Sequence, residues 1–219
     1  MTTMLLIRHA ANDWVGERLA GWTPGVHLNT LGHQQAQGLA DRLAHTALQA
    51  IYSSPLDRAR ETAAPLANRL GLPVQVEAGL AEVQYGQWTG EALQDLRDTD
   101  LWRVLMLTPS LARFPDGESL GEVQNRVVAT LERLRQRHAQ ETIAVVSHAD
   151  VLKAAVAHYT GLHLDLFQRL VISPASVSVI QFGGPGFPRL VRFNDTGEMP
   201  TFAQESPQQP AATTPQAAA

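Results

Sequence analysis

The sequence predicts an α/β fold built around a largely parallel sheet. Over residues 1–160, short apolar runs alternate with segments whose apolar residues recur every three or four positions, a pattern typical of strands joined by crossover helices. The chain has 219 residues, of which 44% are apolar and 17% charged, and this is enough for one compact domain with a substantial core. We expect that domain to span residues 1–200.

The first half of the chain predicts two strand and helix units. The run MLLI is a candidate buried strand, and a helix capped by Thr30 follows it. AIYSS is the second strand candidate. Ser54 and Pro55 then predict the cap and first turn of a second helix, which Gly71 ends. Pro65 predicts a kink or an early break inside that helix.

The second half predicts the remaining elements. PVQV is a third strand candidate, and Ser119 to Glu122 form a capping box at the start of an amphipathic helix. TIAVVS is the most hydrophobic strand candidate and leads directly into His148. A helix is predicted from Asp150 to Tyr159, closed by Gly161. SVSVIQF and RLVRF, separated by GGPGFP, predict a hairpin or two neighbouring strands.

The composition excludes several classes of function. The chain has no cysteine, which rules out disulfides, thiol nucleophiles and cysteine metal sites. A net charge of -4 without a run of Lys or Arg gives no indication of nucleic acid binding. No signal peptide or membrane-spanning stretch is predicted, so we expect a cytoplasmic protein. Residues 201–219, rich in Ala, Gln, Pro and Thr, predict a disordered tail, with a partner-binding segment as the alternative.

Two of the predicted strands end in a histidine. LLIRH ends at His9 and VVSH ends at His148. Because ligands of open parallel sheets bind beyond the carboxyl ends of the strands, both imidazoles are expected in one crevice. The alternative for either histidine is a structural or surface role.

Two arginines and one acid add to this predicted crevice. Arg8 precedes His9, and Arg58 lies in the first helical turn after the second strand, where free amide groups attract anions. Glu82 lies in a glycine-bounded loop with aromatic neighbours, and partial desolvation would let its carboxyl keep a proton near neutral pH. The alternatives are a surface ion pair for Arg8, an exposed helical residue for Arg58 and a solvated acid for Glu82.

This set of residues suits phosphoryl transfer without a metal or a cofactor. Guanidiniums neutralise the phosphoryl oxygens, a neutral imidazole attacks phosphorus, and the acid protonates the leaving oxygen before it activates water. Two-metal chemistry is a weaker alternative. No convincing metal-ligand spacing occurs among the other carboxylates, which include Asp13, Asp57, Asp116, Glu118 and Asp150.

The chain resembles the histidine phosphatase superfamily, in the branch that contains the cofactor-dependent phosphoglycerate mutases. The resemblance rests on RHAAN, LNTLGHQQAQGLA, IYSSPLDRARETA, EVQYGQWTG, FPDGES and VVSHADVLKA, which occur in the family's order. It implies a three-layer α/β sandwich with a mainly parallel central sheet. It also implies that His9 is the phosphorylated nucleophile, that Arg8, Arg58 and His148 form the phosphate pocket, and that Glu82 is the proton donor.

Several positions depart from the family pattern. Ala10 and Ala11 replace the usual Gly and Glu or Gln after the nucleophile, and Ala149 replaces the Gly after the second histidine. Ala10 should be tolerated if its backbone needs no positive φ. Asn12 stands where Thr or Ser is common and is expected to donate to phosphate. LAGW, which includes Gly21, resembles the substrate loop of the mutases, so Gly21 is expected to contact substrate. Ala149, which directly follows His148, is also expected to contact substrate.

Phosphatase activity is favoured over mutase activity by what the chain lacks. Leu93 occupies the place of a substrate-binding Lys of the mutases, and the segment from Gly90 to Phe114 lacks the paired arginines that bind a phosphoglycerate carboxylate. We therefore expect hydrolysis of a small phosphate monoester. The alternatives are a phosphoglycerate mutase-like phosphomutase and a non-catalytic phosphate-binding module. Candidates for setting substrate specificity, with helix packing as the alternative role, are Trp102, Arg103 and Met106.

Overall fold

The structure is a computed structural model, and it describes residues 1–183 and 187–197. The predicted tail at 201–219, the last residues of the predicted domain at 198–200, and part of the GGPGFP segment lie outside the described residues. Within the described part of the chain, no helix combines the length and apolar character needed to cross a bilayer.

A six-stranded sheet forms the centre of the fold, with strand order β3-β2-β4-β1-β5-β6. The first four strands along this order are mutually parallel, while β5 runs antiparallel to β1 and β6 antiparallel to β5. The strands are β1 (Thr2–Arg8), β2 (Ala50–Ser53), β3 (Val74–Val76), β4 (Thr142–Ser147), β5 (Val177–Phe182) and β6 (Pro188–Asp195). The predicted α/β class with a mainly parallel sheet is confirmed.

Helices cover both faces of the sheet and make the three-layer sandwich. Along β1, alternate side chains point to opposite faces. Leu5 and Ile7 pack in a core with α1 and α2, whereas Met4 and Leu6 pack in a larger core with α5 and α6. The α-helices are α1 (Thr30–Arg42), α2 (Asp57–Leu70), α3 (Leu93–Leu96), α4 (Asp100–Leu107), α5 (Leu120–Arg137) and α6 (Ala149–Thr160).

Helix starts differ from the predictions at two places. Helix α1 is capped by Asn29, whose side chain accepts from the Gly32 amide, so the predicted cap at Thr30 is wrong by one residue. Helix α2 begins at Asp57 with Leu56 as its N-cap, not at Ser54 and Pro55.

The ends of α2 and α6 and the start of α5 agree with the predictions from the sequence. Pro65 does not break α2, which continues to Leu70, because its buried face packs on the sheet and tertiary packing supplies most helical stability. Gly71 and Gly161 end α2 and α6 in the left-handed conformation, as predicted. The capping box between Ser119 and Glu122 is present at the start of α5.

Candidate active site

The register of the sheet brings the two predicted histidines together. Arg8 at the end of β1 is paired with Ser147 at the end of β4, so the next residues, His9 and His148, leave the sheet side by side. Their ring centroids are 5.1 Å apart. Strand β2 pairs with β4 one residue earlier and places Ser54 next to His148. Three adjacent parallel strands therefore deliver these groups to the carboxyl edge of the sheet, as the sequence predicts.

His9 is held as a neutral imidazole with one free nitrogen. Its Nδ1 lies 2.8 Å from the Ala10 carbonyl oxygen, and since a carbonyl only accepts, Nδ1 carries the proton and Nε2 keeps its lone pair. Burial, followed by the positive charges of Arg58 and Arg8, lowers the pKa of His9 well below its ordinary value. At neutral pH, His9 is thus uncharged, with its one proton on Nδ1 and a free lone pair on Nε2, which is the electronic state of a nucleophile.

His148 lies completely buried behind His9. Its Nε2 is hydrogen-bonded to the Ser54 hydroxyl at 2.8 Å, and its Nδ1 lies 3.6 Å from Oε2 of Glu82. Within the described residues, Nδ1 has no hydrogen-bond partner. Burial is also the largest cause of the lowered pKa of His148, and the charge of Arg58 adds to it.

Two guanidiniums supply positive charge at the same place. Arg58 is 1% exposed and donates to the Gly21 carbonyl at 2.8 Å, and Arg8 donates to the Ile172 carbonyl at 2.7 Å. The Nε of each has no hydrogen-bond partner in the described part of the chain. Burial lowers the pKa of both arginines from its ordinary value, but guanidiniums remain charged in proteins. Buried cations with unused donors form a binding site for an oxyanion.

Glu82 is a buried carboxyl in contact with both kinds of group. One oxygen accepts from the Val83 amide at 3.0 Å, and the other lies 4.0 Å from the Arg58 guanidinium. Burial raises the pKa of Glu82 to about 7, against the opposing charge of Arg58. Its carboxyl can therefore donate a proton and accept one within the same neutral pH range.

A cavity of about 150 Å³ opens onto these groups. Of the predicted residues, six lie in its wall: Arg8, His9, Asn12, Arg58, Glu82 and Ala149. His148 lies behind the wall, against His9 and Glu82. Gly21 contributes its carbonyl to Arg58 and is not a wall residue. None of the candidate specificity residues of α4 lines the cavity. Trp102 packs against the core, Arg103 pairs with Asp100, and Met106 is exposed.

The loop after His9 accommodates the two alanines without strain. The Ala10 amide donates to the Thr62 hydroxyl at 2.9 Å, and the Ala11 amide donates to Oε1 of Gln35 at 2.9 Å. Neither residue has a positive φ, so glycine is not required there. Asn12 accepts from the Trp14 amide with its side-chain oxygen, which leaves its amide nitrogen as the donor to a ligand.

Several residues of the site were not predicted from the sequence. Arg18 lies on the rim of the cavity, anchored at 2.9 Å to the Gly90 carbonyl, and no acidic side chain among the described residues pairs with it. Tyr85 and Asp150 also line the wall and are hydrogen-bonded to each other at 3.3 Å. The sequence carries a weak signal for Asp150, which follows His148 by two positions, and none for Arg18.

One group of side chains has the composition of a metal site. Single ligand atoms of His9, Glu82 and His148 lie within 4.8 Å of one another. Arg58 and Arg8 lie against the same groups, and their positive charges oppose the binding of a cation. The same charges favour an anion at this position.

An α/β sandwich whose small pocket combines two guanidiniums, two neutral imidazoles and a buried acid is suited to an oxyanion such as phosphate. The chain belongs to the histidine phosphatase superfamily (branch 1), whose sequence profile matches residues 4–196. The predicted resemblance is thereby confirmed.

Individual relatives agree with this family assignment. The chain is 35% identical to "Phosphoserine phosphatase 1" of Hydrogenobacter thermophilus over 184 residues, covering 82% of this chain and 86% of the relative. Among solved structures, it is similar to Bacillus stearothermophilus YhfR, with a TM-score of 0.83, 30% identity, and coverage of 89% and 98% of the two chains. A phosphoserine phosphatase mutant from Entamoeba histolytica, in complex with phosphoserine, matches with a TM-score of 0.82, 26% identity, and coverage of 90% and 98%.

Proposed function

We propose that the protein is a metal-independent phosphatase that hydrolyses small phosphate monoesters through a phosphohistidine on His9. The observation that carries this proposal is the state of His9. Its ring is neutral, its Nδ1 proton is held by the Ala10 carbonyl, and its free Nε2 belongs to a wall that also contains Arg8 and Arg58. Family membership supports the same chemistry.

In the first half of the reaction, Nε2 of His9 attacks phosphorus and the bond from phosphorus to the ester oxygen breaks. Arg8 and Arg58 donate to the phosphoryl oxygens with their unused N–H groups and stabilise the charge that builds up on them. Glu82 gives its proton to the departing oxygen, so an alcohol leaves rather than an alkoxide. A pKa of about 7 keeps much of the Glu82 population protonated at neutral pH.

In the second half, water attacks the phosphorus of phospho-His9. The now ionised Glu82 takes a proton from that water, the bond from nitrogen to phosphorus breaks, and inorganic phosphate leaves. His148 lies 3.6 Å from Glu82 and 5.1 Å, between ring centroids, from His9. Because it is neutral, it is suited to hydrogen bonding with a phosphoryl oxygen, not to pairing with it as a cation.

Leu93 favours hydrolysis over a mutase reaction, in which a phosphoryl group moves between two positions of a substrate. This apolar side chain lies in the cavity wall, at the place where the mutases carry a substrate-binding Lys. A mutase must hold both ends of its substrate and exclude water, whereas a phosphatase must release its product. The phosphomutase remains the alternative. It predicts interconversion of 2- and 3-phosphoglycerate stimulated by the bisphosphate, in place of net phosphate release.

The cavity suits the phosphoryl end of a small ester. Its volume of about 150 Å³ holds a phosphoryl group and a few further atoms, and the rim offers Arg18 as a cation for a second anionic group. A relative is named a phosphoserine phosphatase, and a similar structure was solved with phosphoserine. Phosphoserine is therefore the first natural ester to test.

The decisive experiment measures phosphate release from p-nitrophenyl phosphate and phosphoserine in excess EDTA. We expect turnover by the wild-type protein, an acid-labile phosphoryl label trapped during turnover, and loss of both in His9→Ala. The matched control is His33→Ala, because His33 is an exposed histidine on α1. Turnover that requires an added metal, or that survives in His9→Ala, would refute the proposal. Tight phosphate binding without any trapped phosphoenzyme would indicate the non-catalytic binding module.

A further inference from the structure

Arg126, on α5, is connected to the loop of Glu82 by its whole guanidinium. Its Nη1 donates to the carbonyls of Gly79 and Ala81, at 3.0 and 2.8 Å, and its Nη2 donates to the carbonyl of Glu82 at 3.3 Å. Nε and Nη2 also donate to the two carboxylate oxygens of Glu118, each at 2.9 Å. A guanidinium has five N–H donors, and all five are used here.

Glu118 closes this arrangement from the other side of Glu82. Besides binding Arg126, its carboxylate accepts from the amide of Gln84 at 2.9 Å, and its own amide donates to the carbonyl of Gln84 at 2.9 Å. The Arg126–Glu118 pair therefore binds the backbone immediately before, at and after Glu82. The two side chains are 21% and 15% exposed, so water screens the pair only partly.

The loop that carries Glu82 packs closely on its neighbours, which leaves no space for it to move further toward α5. A Cβ on Gly79 would lie 1.9 Å from the Thr130 hydroxyl of α5, and one on Gly117 would lie 2.2 Å from the Gln84 carbonyl. Both contacts need glycine. The first sets how closely the Glu82 loop approaches α5, and the second sets how closely it approaches the segment of Gly117 and Glu118. The position of the Glu82 carboxyl then depends on the hydrogen bonds that hold the Glu82 backbone.

We propose that Arg126, braced by Glu118, is a positioning residue that holds the Glu82 carboxyl in line with the leaving oxygen of the substrate. Arg126 is not part of the cavity wall, so it acts through Glu82 rather than on the ester itself. The inference rests on the proposed function, because it takes Glu82 to be the proton donor. A guanidinium with five committed donors fixes a loop more tightly than an ammonium with three.

Varying the basicity of the leaving group distinguishes two roles for Arg126: positioning of the proton donor Glu82, and general support of the fold. p-Nitrophenolate is a stable anion and departs with little help from an acid, whereas p-nitrobenzyl alkoxide is strongly basic and needs a proton as it leaves. The two phosphate esters have nearly the same shape. Misplacing Glu82 should therefore slow p-nitrobenzyl phosphate far more than p-nitrophenyl phosphate, while a distorted pocket should slow both alike.

The experiment compares kcat/KM for these two esters in wild type, Arg126→Gln, Arg126→Lys and Glu118→Gln. For Arg126→Gln we expect a loss of about 100-fold on p-nitrobenzyl phosphate and less than about threefold on p-nitrophenyl phosphate. Arg126→Lys and Glu118→Gln should show smaller selective losses. The matched control is Arg133→Gln, since Arg133 lies two turns along the same helix and makes a similar paired contact, with Glu77, that does not reach Glu82. It should behave as wild type.

The double variant that combines Arg126→Gln with Glu82→Gln gives the most direct test of whether Arg126 acts through Glu82. If Arg126 acts through Glu82, the double variant is no slower on p-nitrobenzyl phosphate than Glu82→Gln alone. Equal losses on both esters, or additive losses in the double variant, would overturn the inference. Should Arg126→Gln not fold, as judged by its thermal transition, the same ratio in Arg126→Lys decides the question. If Glu82→Gln itself shows no selective loss, the proposed role of Glu82 fails independently of Arg126.

Discussion

Replacing Glu82 by glutamine tests whether burial raises the pKa of this carboxyl. The test uses both the stability of the fold and the rate of hydrolysis. Burial raises the pKa of this carboxyl from 4.5 to about 7 in the folded protein. In the unfolded chain, the carboxyl returns to the lower value. The folded state therefore binds more protons than the unfolded state between about pH 4.5 and 7, and the free energy of unfolding falls as the pH rises through that window.

The size of the effect follows from the same two values. The difference between 4.5 and about 7 corresponds to about 3 kcal/mol that the ionised carboxylate costs the fold above pH 7. Glutamine cannot ionise, so the variant avoids this cost. We expect the stability of Glu82→Gln relative to wild type to increase with pH by up to about 3 kcal/mol, while hydrolysis of alkyl phosphates falls by about 100-fold or more.

Urea unfolding of both proteins at pH values from 5 to 8, with pH-rate profiles over the same range, measures both effects. Wild-type turnover of an alkyl ester should decline above about pH 7, where Glu82 loses its proton, and this decline should be absent in the variant. Glu91→Gln, at an exposed carboxyl, is the control and should leave both profiles unchanged. A stability difference between Glu82→Gln and wild type that does not change with pH would show that burial does not perturb this carboxyl.

Three further predictions concern the anion pocket and its rim. Asn12→Asp should raise KM at least tenfold, and Asn12→Ala only severalfold, in steady-state assays, because aspartate adds a negative charge where an amide is expected to donate. Inorganic phosphate at 100 times its Kd should stabilise the wild-type fold by about 2.7 kcal/mol in thermal unfolding, and Arg58→Met should abolish this stabilisation. Arg18→Gln should lower kcat/KM for phosphoserine about tenfold but leave phosphoethanolamine, which lacks the carboxylate, nearly unaffected.

Each of these predictions has a clear contrary result. Equal KM values for the two Asn12 variants would place this side chain away from the phosphoryl group. An undiminished phosphate-induced stabilisation in Arg58→Met would locate the anion elsewhere. Equal losses on phosphoserine and phosphoethanolamine would assign Arg18 to the structure of the rim and not to the substrate. Arg103→Gln, at an exposed arginine of α4 away from the cavity, is the control for Arg18→Gln.

The sequence predicted the residues that stand directly at strand ends. His9 and His148 follow two apolar strand candidates of the chain, and parallel pairing of such strands places the residues that follow them at one edge of the sheet. The same logic did not locate the start of α2, because the hydroxyl of Ser54 is bonded to His148 and the helix begins three residues later. The Ser54 hydroxyl does accept from the Leu56 amide at 3.3 Å, but it is also bonded to His148, 94 positions away, which local sequence does not reveal.

The residues that escaped prediction act through contacts that no local pattern encodes. Arg126 occupies one position of an amphipathic helix, and in the sequence it resembles Arg133 and Arg137 on the same helix. What distinguishes it is the close approach of Gly79 to Thr130, which lets a loop distant in sequence bring three carbonyls to one guanidinium. The chemistry of a site can be predicted from the residue types that touch the substrate. The accuracy with which these residues are positioned depends on tertiary packing. Substitution at Arg126 measures how much this positioning contributes to the rate.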